Sequence, residues 1–276
     1  SLRAGGVNRL SIGAQSFSDR ELKCVGRLHS AAETKEQVSL ARKAGFRNIN
    51  LDLIAGLPYQ THLSWQASLD EVARLRPEHV SIYLFEADEK SRLGRAVARQ
   101  ESGYHAGAMP GENFMAEAYE RARAALGGEG YAQYEISNFA LPGHESRHNQ
   151  KYWTRQPYWG FGAGAHSFDG SSRWSNEADP EAYQARLDRG ELPVAESHVL
   201  SDREHLEEFF FLGLRQARGV SLNLARQLWG HPPLDWWQAR ARQLERDGLL
   251  IEKDGCLRLA ESAYLISNEV FQQFIM

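Results

Sequence analysis

Six consecutive residues, His148-Asn149-Gln150-Lys151-Tyr152-Trp153, gather an imidazole, two amides, an ammonium, a phenol and an indole in one place. No apolar periodicity runs through them, and a buried phenol or indole needs a partner for its O–H or N–H, so the mixture is foreign to a core. A metal ion or a flat aromatic ligand would use these groups. The competing reading is a long irregular loop between Pro142-Gly143 and Gly160-Phe161-Gly162-Ala163-Gly164-Ala165-His166, in which His148 and Asn149 only hydrogen-bond the backbone.

Three other patterns carry less. His144-Glu145-Ser146-Arg147-His148 has the H-E-x-x-H spacing that, on a helix, puts two zinc ligands on one face beside a general base. The segment lacks the periodicity of a buried helix, and no third ligand can be assigned, so it reads as a coincidence. The glycine-rich run 160–165 lacks the Lys and Ser/Thr of a phosphate loop and reads as a tight backbone crossing. Cys24 and Cys256 have no C-x-x-C spacing and build neither a disulfide framework nor a thiolate metal site; with no G-x-S-x-G elbow either, they read as small packed residues.

The groups that matter must be held by regular elements. Alternation of Leu10, Ile12 and Ala14 with Ser11, Gly13 and Gln15 predicts a strand over residues 7–17, and a helix through residues 37–44 follows, stopped by Gly45. A second strand over 48–55 sets Ile49, Leu51 and Leu53 against Asn48, Asn50, Asp52 and Ile54, and Gly56-Leu57-Pro58 ends it. A helix over 61–75 carries Trp65, Leu69, Val72 and Ala73 on one stripe, and a third strand runs over 79–86. Successive βα units of this size form a parallel sheet with right-handed crossovers. Three are too few for a closed barrel, so the second half of a partial (β/α) barrel is expected, with Gln15, Asp52 and the Gly56 turn at the rim where strands end. Residues 88–111 read as a mobile loop, 113–126 as a helix, and 131–139 as one more strand.

With 276 residues, 42% hydrophobic and 25% charged, the chain is long enough for two domains. A net charge of -4 gives no general attraction to nucleic acid, and no run approaches the ~20 apolar residues that span a bilayer, so a soluble protein is expected. The scattered cysteines suit a cytoplasmic location. The opening Ser1-Leu2-Arg3-Ala4-Gly5-Gly6 reads as the end of a helix already under way, and the chain as a fragment cut at its N-terminus. The expected division is a partial barrel over 1–176, a connector over 177–200 and a small winged-helix-like α+β domain over 201–276. In the last, Ser201 and Glu204 form a capping box, Ser221 caps a second helix, residues 234–247 form a third, and a hairpin turns at Lys253-Asp254-Gly255. Arg240, Arg242 and Arg246 are balanced by Asp235, Glu245 and Asp247, which argues against the DNA binding this outline suggests.

Six blocks in order, residues 6–17, 26–30, 50–58, 134–140, 148–153 and 162–167, together resemble the radical S-adenosylmethionine family of oxygen-independent coproporphyrinogen III oxidases of porphyrin biosynthesis and their haem-chaperone relatives. The resemblance covers nearly the whole chain. It implies S-adenosylmethionine held by Gln15, Arg27, Asp52 and Ile54. Asp and Gln suit ribose hydroxyls, Arg a carboxylate, and Ile an adenine face. H-N-x-x-Y-W is similar to the chaperone branch, which implies haem bound by His148, Asn149, Tyr152 and Trp153, with His148 as the iron ligand, and transfer of haem to an acceptor protein. The alternative is the oxidase, a radical decarboxylation of porphyrinogen propionates. The family holds a [4Fe–4S] cluster on a Cys-x3-Cys-x2-Cys run that is absent from this chain, so the cluster is expected only in a full-length parent, and the chain itself is not expected to start radical chemistry.

Overall fold

In the computed structural model, which describes residues 2–86, 94–95, 99, 103–230 and 233–275, the three alternating segments become parallel strands: β1 (Leu10–Gln15), β2 (Ile49–Ala55) and β3 (His79–Leu84). Between them lie α1 (Asp19–Cys24), α2 (Ala31–Lys43) and α3 (His62–Leu75). Capping boxes, Ser30 with Glu33 and Thr61 with Ser64, start α2 and α3 by supplying acceptors to N–H groups that the first turn leaves orphaned. Period-two alternation places Ile49, Leu51, Leu53, Val80 and Ile82 on one face of the sheet, where they are buried. The other face carries Ser11, Asn50, Asp52, His79 and Ser81 in register. Helix α3 packs on α4 (Glu112–Gly128), and the buried Trp65 indole donates to Ala118 O at 2.8 Å.

Residues 131–139 are not one strand. They form two short ones, β4 (Ala132–Gln133) and β5 (Asn138–Ala140), paired antiparallel, with β5 also antiparallel to β3, so the sheet order is β1-β2-β3-β5-β4. The reversal is built by Glu135, whose buried carboxylate accepts the Ser137 N–H at 2.9 Å and the Asn138 amide, folding the chain back. The result is the expected partial α/β barrel. The loop expected over 88–111 lies largely outside the described residues; a 3-10 turn spans Gly103–Ala108.

Two compact units divide the chain, residues 1–145 and 146–276, upstream of the boundary expected at 176. The second unit opens with α5 (Arg147–Trp153), so the H-N-x-x-Y-W motif is helical and not a loop: Ser146 Oγ accepts the Asn149 N–H at 3.3 Å and caps it. An antiparallel sheet follows, β6 (His166–Phe168), β7 (Ser172–Asn176) and β8 (Val194–Val199), with α6 (Pro180–Asp188) inserted. Residues 177–200 are therefore structured rather than a plain connector: Asp179 caps α6 with Pro180 at its first position, and β8 pairs with β7.

The last part has the expected outline. It comprises α7 (Asp202–Gly213), β9 (Val220–Ser221), α8 (Leu222–Trp229), α9 (Pro233–Arg246) and the hairpin β10 (Leu250–Lys253) and β11 (Cys256–Leu259), then a 3-10 turn and α10 (Ser267–Gln272). Asp254 and Gly255, both at positive φ, make the two-residue hairpin turn. Phe210 stacks on Phe274 at 5.0 Å in a core shared with Leu206, Leu214 and Trp237.

Replacing Trp65 by alanine removes a fully buried ring and the indole hydrogen bond to Ala118 O. Trp65→Ala is expected to lower stability by about 3–5 kcal/mol, read from the midpoint of urea denaturation.

Candidate functional site

Strand ends build the first unit's candidate site. Gln15, the last residue of β1, is 7% exposed and sits at φ 63, and the Ser16 N–H donates to Ala14 O at 2.7 Å, closing a three-residue turn around it. Left-handed backbone at a non-glycine residue costs energy that the surrounding fold must offset, and such strain concentrates at functional positions. A Cβ at Gly13 would lie 2.5 Å from Gln15 Nε2, so the glycine leaves the space into which the amide folds back over the strand. One register step across, Asp52 Oδ2 accepts Ser11 Oγ–H at 3.2 Å and Oδ1 accepts Asn50 Nδ2–H at 2.7 Å. Ile54 is half-buried further along the same face, opposite Tyr83. Arg27 is not brought into this group by any contact among the described residues: it lies exposed on the turn after α1.

Behind the rim lies a buried network that periodicity does not reveal. Glu21 Oε2 accepts Ser16 Oγ–H at 2.6 Å and Gln60 Nε2–H at 3.1 Å; Gln60 Oε1 accepts the Gly56 N–H at 2.6 Å, and its amide also donates to Ile54 O. These bonds tie the turn after β1 to the turn after β2. On the sheet face, Asn50 Oδ1 lies 2.6 Å from His79 Nδ1, and His79 Nε2 lies 2.8 Å from the Tyr134 hydroxyl. Burial, with a smaller push from the Arg9 charge, lowers the His79 pKa to about 3, so the ring is neutral. Asn50 Oδ1 can only accept, which assigns the proton to Nδ1 and makes Nε2 the acceptor of the tyrosine O–H.

In the second unit, α5 brings His148 and Tyr152 together at i and i+4. The hydroxyl and Nε2 are 3.0 Å apart and the rings meet edge to face at 5.0 Å, with His148 exposed. Tyr152 in turn meets Tyr158 at 4.6 Å. Tyr158 is anchored by paired backbone bonds to Phe168 and by Arg173 Nη1, which donates to its hydroxyl at 3.1 Å. Glu208 holds that arginine and a second one, accepting Arg173 Nε–H at 2.6 Å and Arg155 Nε–H at 3.1 Å. Burial lowers the Arg155 pKa, with Glu208 opposing it. Asn149 contributes its backbone N–H to the cap. Trp153 is not part of the His148–Tyr152 pair: its ring lies 4.5 Å under the Arg215 guanidinium and lines a cavity of about 540 Å³.

His144 precedes the first turn of α5, so H-E-x-x-H does not make a helical ligand pair, and no group of three or more His, Cys, Asp or Glu able to hold a metal occurs among the described residues. Cys24 and Cys256 belong to different units. A [4Fe–4S] cluster therefore does not fit the donors of this chain. The glycine-rich run is a close crossing, as expected: a Cβ at Gly160 would lie 2.2 Å from His166 O. No described helix is long and apolar enough to cross a membrane.

The HemN C-terminal domain family matches residues 200–266. The chain is 35% identical over 274 residues to the haem chaperone HemW of Bacillus subtilis, covering 99% of the chain and 71% of that protein. It is 32% identical to HemW of Lactococcus lactis, covering 98% and 69%, and 33% identical to the mitochondrial radical S-adenosyl methionine domain-containing protein 1 of Bos taurus, covering 90% and 58%. Coproporphyrinogen III oxidase (HemN) of Escherichia coli, a radical SAM enzyme, has the same fold, with a TM-score of 0.82 at 22% identity over 99% of this chain and 65% of that one.

His79 carries a pH dependence with a definite sign. Folded, it takes up no proton until about pH 3; unfolded, it does so near 6.5. The unfolded state therefore binds the extra proton, and stability present above pH 6.5 is lost as pH falls from 6.5 toward 3. His79→Gln should flatten the stability–pH slope in that window by up to about one proton, measured by urea titrations at stepped pH. Glu208→Ala, which strands two arginines, should cost about 2–4 kcal/mol in the same assay.

Proposed function

The chain belongs to the HemW family, and from that premise we propose that it binds haem through the exposed face of α5 and passes it to an acceptor protein. One observation carries the reading: the His148 imidazole stands exposed at the start of a helix, oriented by the Tyr152 hydroxyl, in a chain 35% identical to a haem chaperone. A hydrogen bond that fixes ring orientation is the usual partner of a ligating histidine. His148 would be the axial ligand, with the Tyr152 and Tyr158 edges beside the macrocycle and Asn149 at the adjoining position of the motif, whereas Trp153 lines the cavity described above. An exposed station suits a carrier, because the ligand must be reachable by the protein that takes it. The charge balance on α9 supports a partner other than nucleic acid, and the two separated cysteines support a cytoplasmic location.

The strand-end rim supports an S-adenosylmethionine site. Two of the roughly four lone-pair positions of the Asp52 carboxylate are taken by Ser11 and Asn50, which fix it while leaving capacity for ribose hydroxyls. Ile54 would meet the adenine, Gln15 would offer its amide, and Arg27 would swing to the methionyl carboxylate. With a cluster, S-adenosylmethionine supplies radical chemistry; this chain's residues would bind and orient the nucleoside only, since its two cysteines do not provide the thiolates a cluster needs. The oxidase reading shares the fold, and at 22% identity the likeness reaches the fold alone.

Titrating hemin into the chain should give a ligated Soret band that His148→Ala shifts, weakening binding by about tenfold or more; an unchanged spectrum and affinity would remove His148 from the role. Asp52→Ala should weaken S-adenosylmethionine binding by about tenfold in calorimetry, and equal affinities would discard the rim.

A further inference from the structure

The cavity beside Trp153 is not used by the His148 station. His148 and Tyr152 do not line it; Trp153, at the far end of α5, does, together with Phe209 of α7 and Leu224 and Leu228 of α8. At about 540 Å³ it falls within the ~300–1,000 Å³ of small-molecule sites. Leu224 and Leu228, one turn apart, are 44% and 57% exposed, an apolar stripe that the fold leaves uncovered on the cavity side. The wall holds two arginines and no Asp or Glu. Arg155 is committed to Glu208, whereas Arg218 has no carboxylate partner among the described residues; its Nε donates to Gln216 Oε1 at 3.0 Å, which aims the guanidinium and leaves its other N–H groups for a ligand. The Trp153 indole N–H is buried without a protein acceptor.

Indole and phenyl rings, a leucine stripe and one uncommitted cation select a ligand that is flat, apolar and anionic at its edge. We propose that this cavity is a second tetrapyrrole station, holding a planar macrocycle between Trp153, Phe209 and the leucines of α8, with a propionate on Arg218. The ligand class rests on the haem reading above; the site itself does not depend on His148 or on iron. One short helix thus serves two stations, an exposed one at His148 that ligates the metal and a half-open one at Trp153 that grips the macrocycle.

Protoporphyrin IX tests this, because it has the macrocycle and both propionates but no iron for His148 to bind. Wild-type chain should bind it, followed by porphyrin fluorescence. Leu224→Trp, which fills the cavity from an exposed position, should weaken it at least tenfold, and Arg218→Glu should weaken it by a similar factor. Protoporphyrin IX dimethyl ester should be insensitive to Arg218→Glu, and thermal melts of the variants are compared with wild type to verify folding. No protoporphyrin IX binding by wild type, or equal binding by folded Leu224→Trp, overturns the cavity station. A ligated hemin spectrum alongside that failure leaves the His148 reading standing, whereas porphyrin binding without any hemin ligation supports the cavity and removes His148.

Discussion

The first unit depends on one amide. Asn50, 3% exposed in the middle of the parallel sheet, donates from Nδ2 to Ser11 Oγ at 2.6 Å and to Asp52, and accepts at Oδ1 from His79 and from Ser81 Oγ at 3.3 Å. Four partners on three adjacent strands use the full hydrogen-bonding capacity of the side chain. A buried polar row of this kind is tolerable only when complete, since each unpaired group would cost about 1–3 kcal/mol. The row therefore holds β1, β2 and β3 in one register, and with them the spacing between the Gln15 turn and the Asp52 carboxylate. The neutral state of His79 belongs to the same arrangement: a protonated ring would have no lone pair for the Tyr134 hydroxyl and would face the Arg9 charge.

Much of this architecture was legible in the sequence, because the elements that bury a face announce themselves by period. Alternation marked β1, β2 and β3, capping residues marked α7 and α8, and Asp254-Gly255 marked the last hairpin. The failures share a cause. Helix α5 buries none of its residues, so it has no apolar stripe, and its one local signal is Ser146 placed three before Asn149. Strand β8 is almost wholly exposed and shows no alternation of apolar and polar residues. The turn at Glu135 rests on a carboxylate folded inward, where charge ordinarily signals solvent.

The candidate sites were legible as motifs but not as geometry. Gln15 and Asp52 could be placed at one rim because strands end there, whereas Glu21 and Gln60, which brace that rim, sit on a helix and a turn where no period points inward. Likewise the six-residue motif reads as one cluster along the chain, yet helical rotation parts it: residues four apart share a face, so His148 joins Tyr152, and Trp153 turns to the cavity. The same 3.6-residue repeat explains why a compact motif can address two places at once.

Strand β1 has a neighbour on one side only among the described residues. Its outer edge is six residues long and carries no proline. Such an edge is adhesive. Any extended backbone that reaches it, whether from the same polypeptide or from another copy, can continue the ladder, so the behaviour of the isolated chain in concentrated solution is set by what is allowed to dock along those six residues.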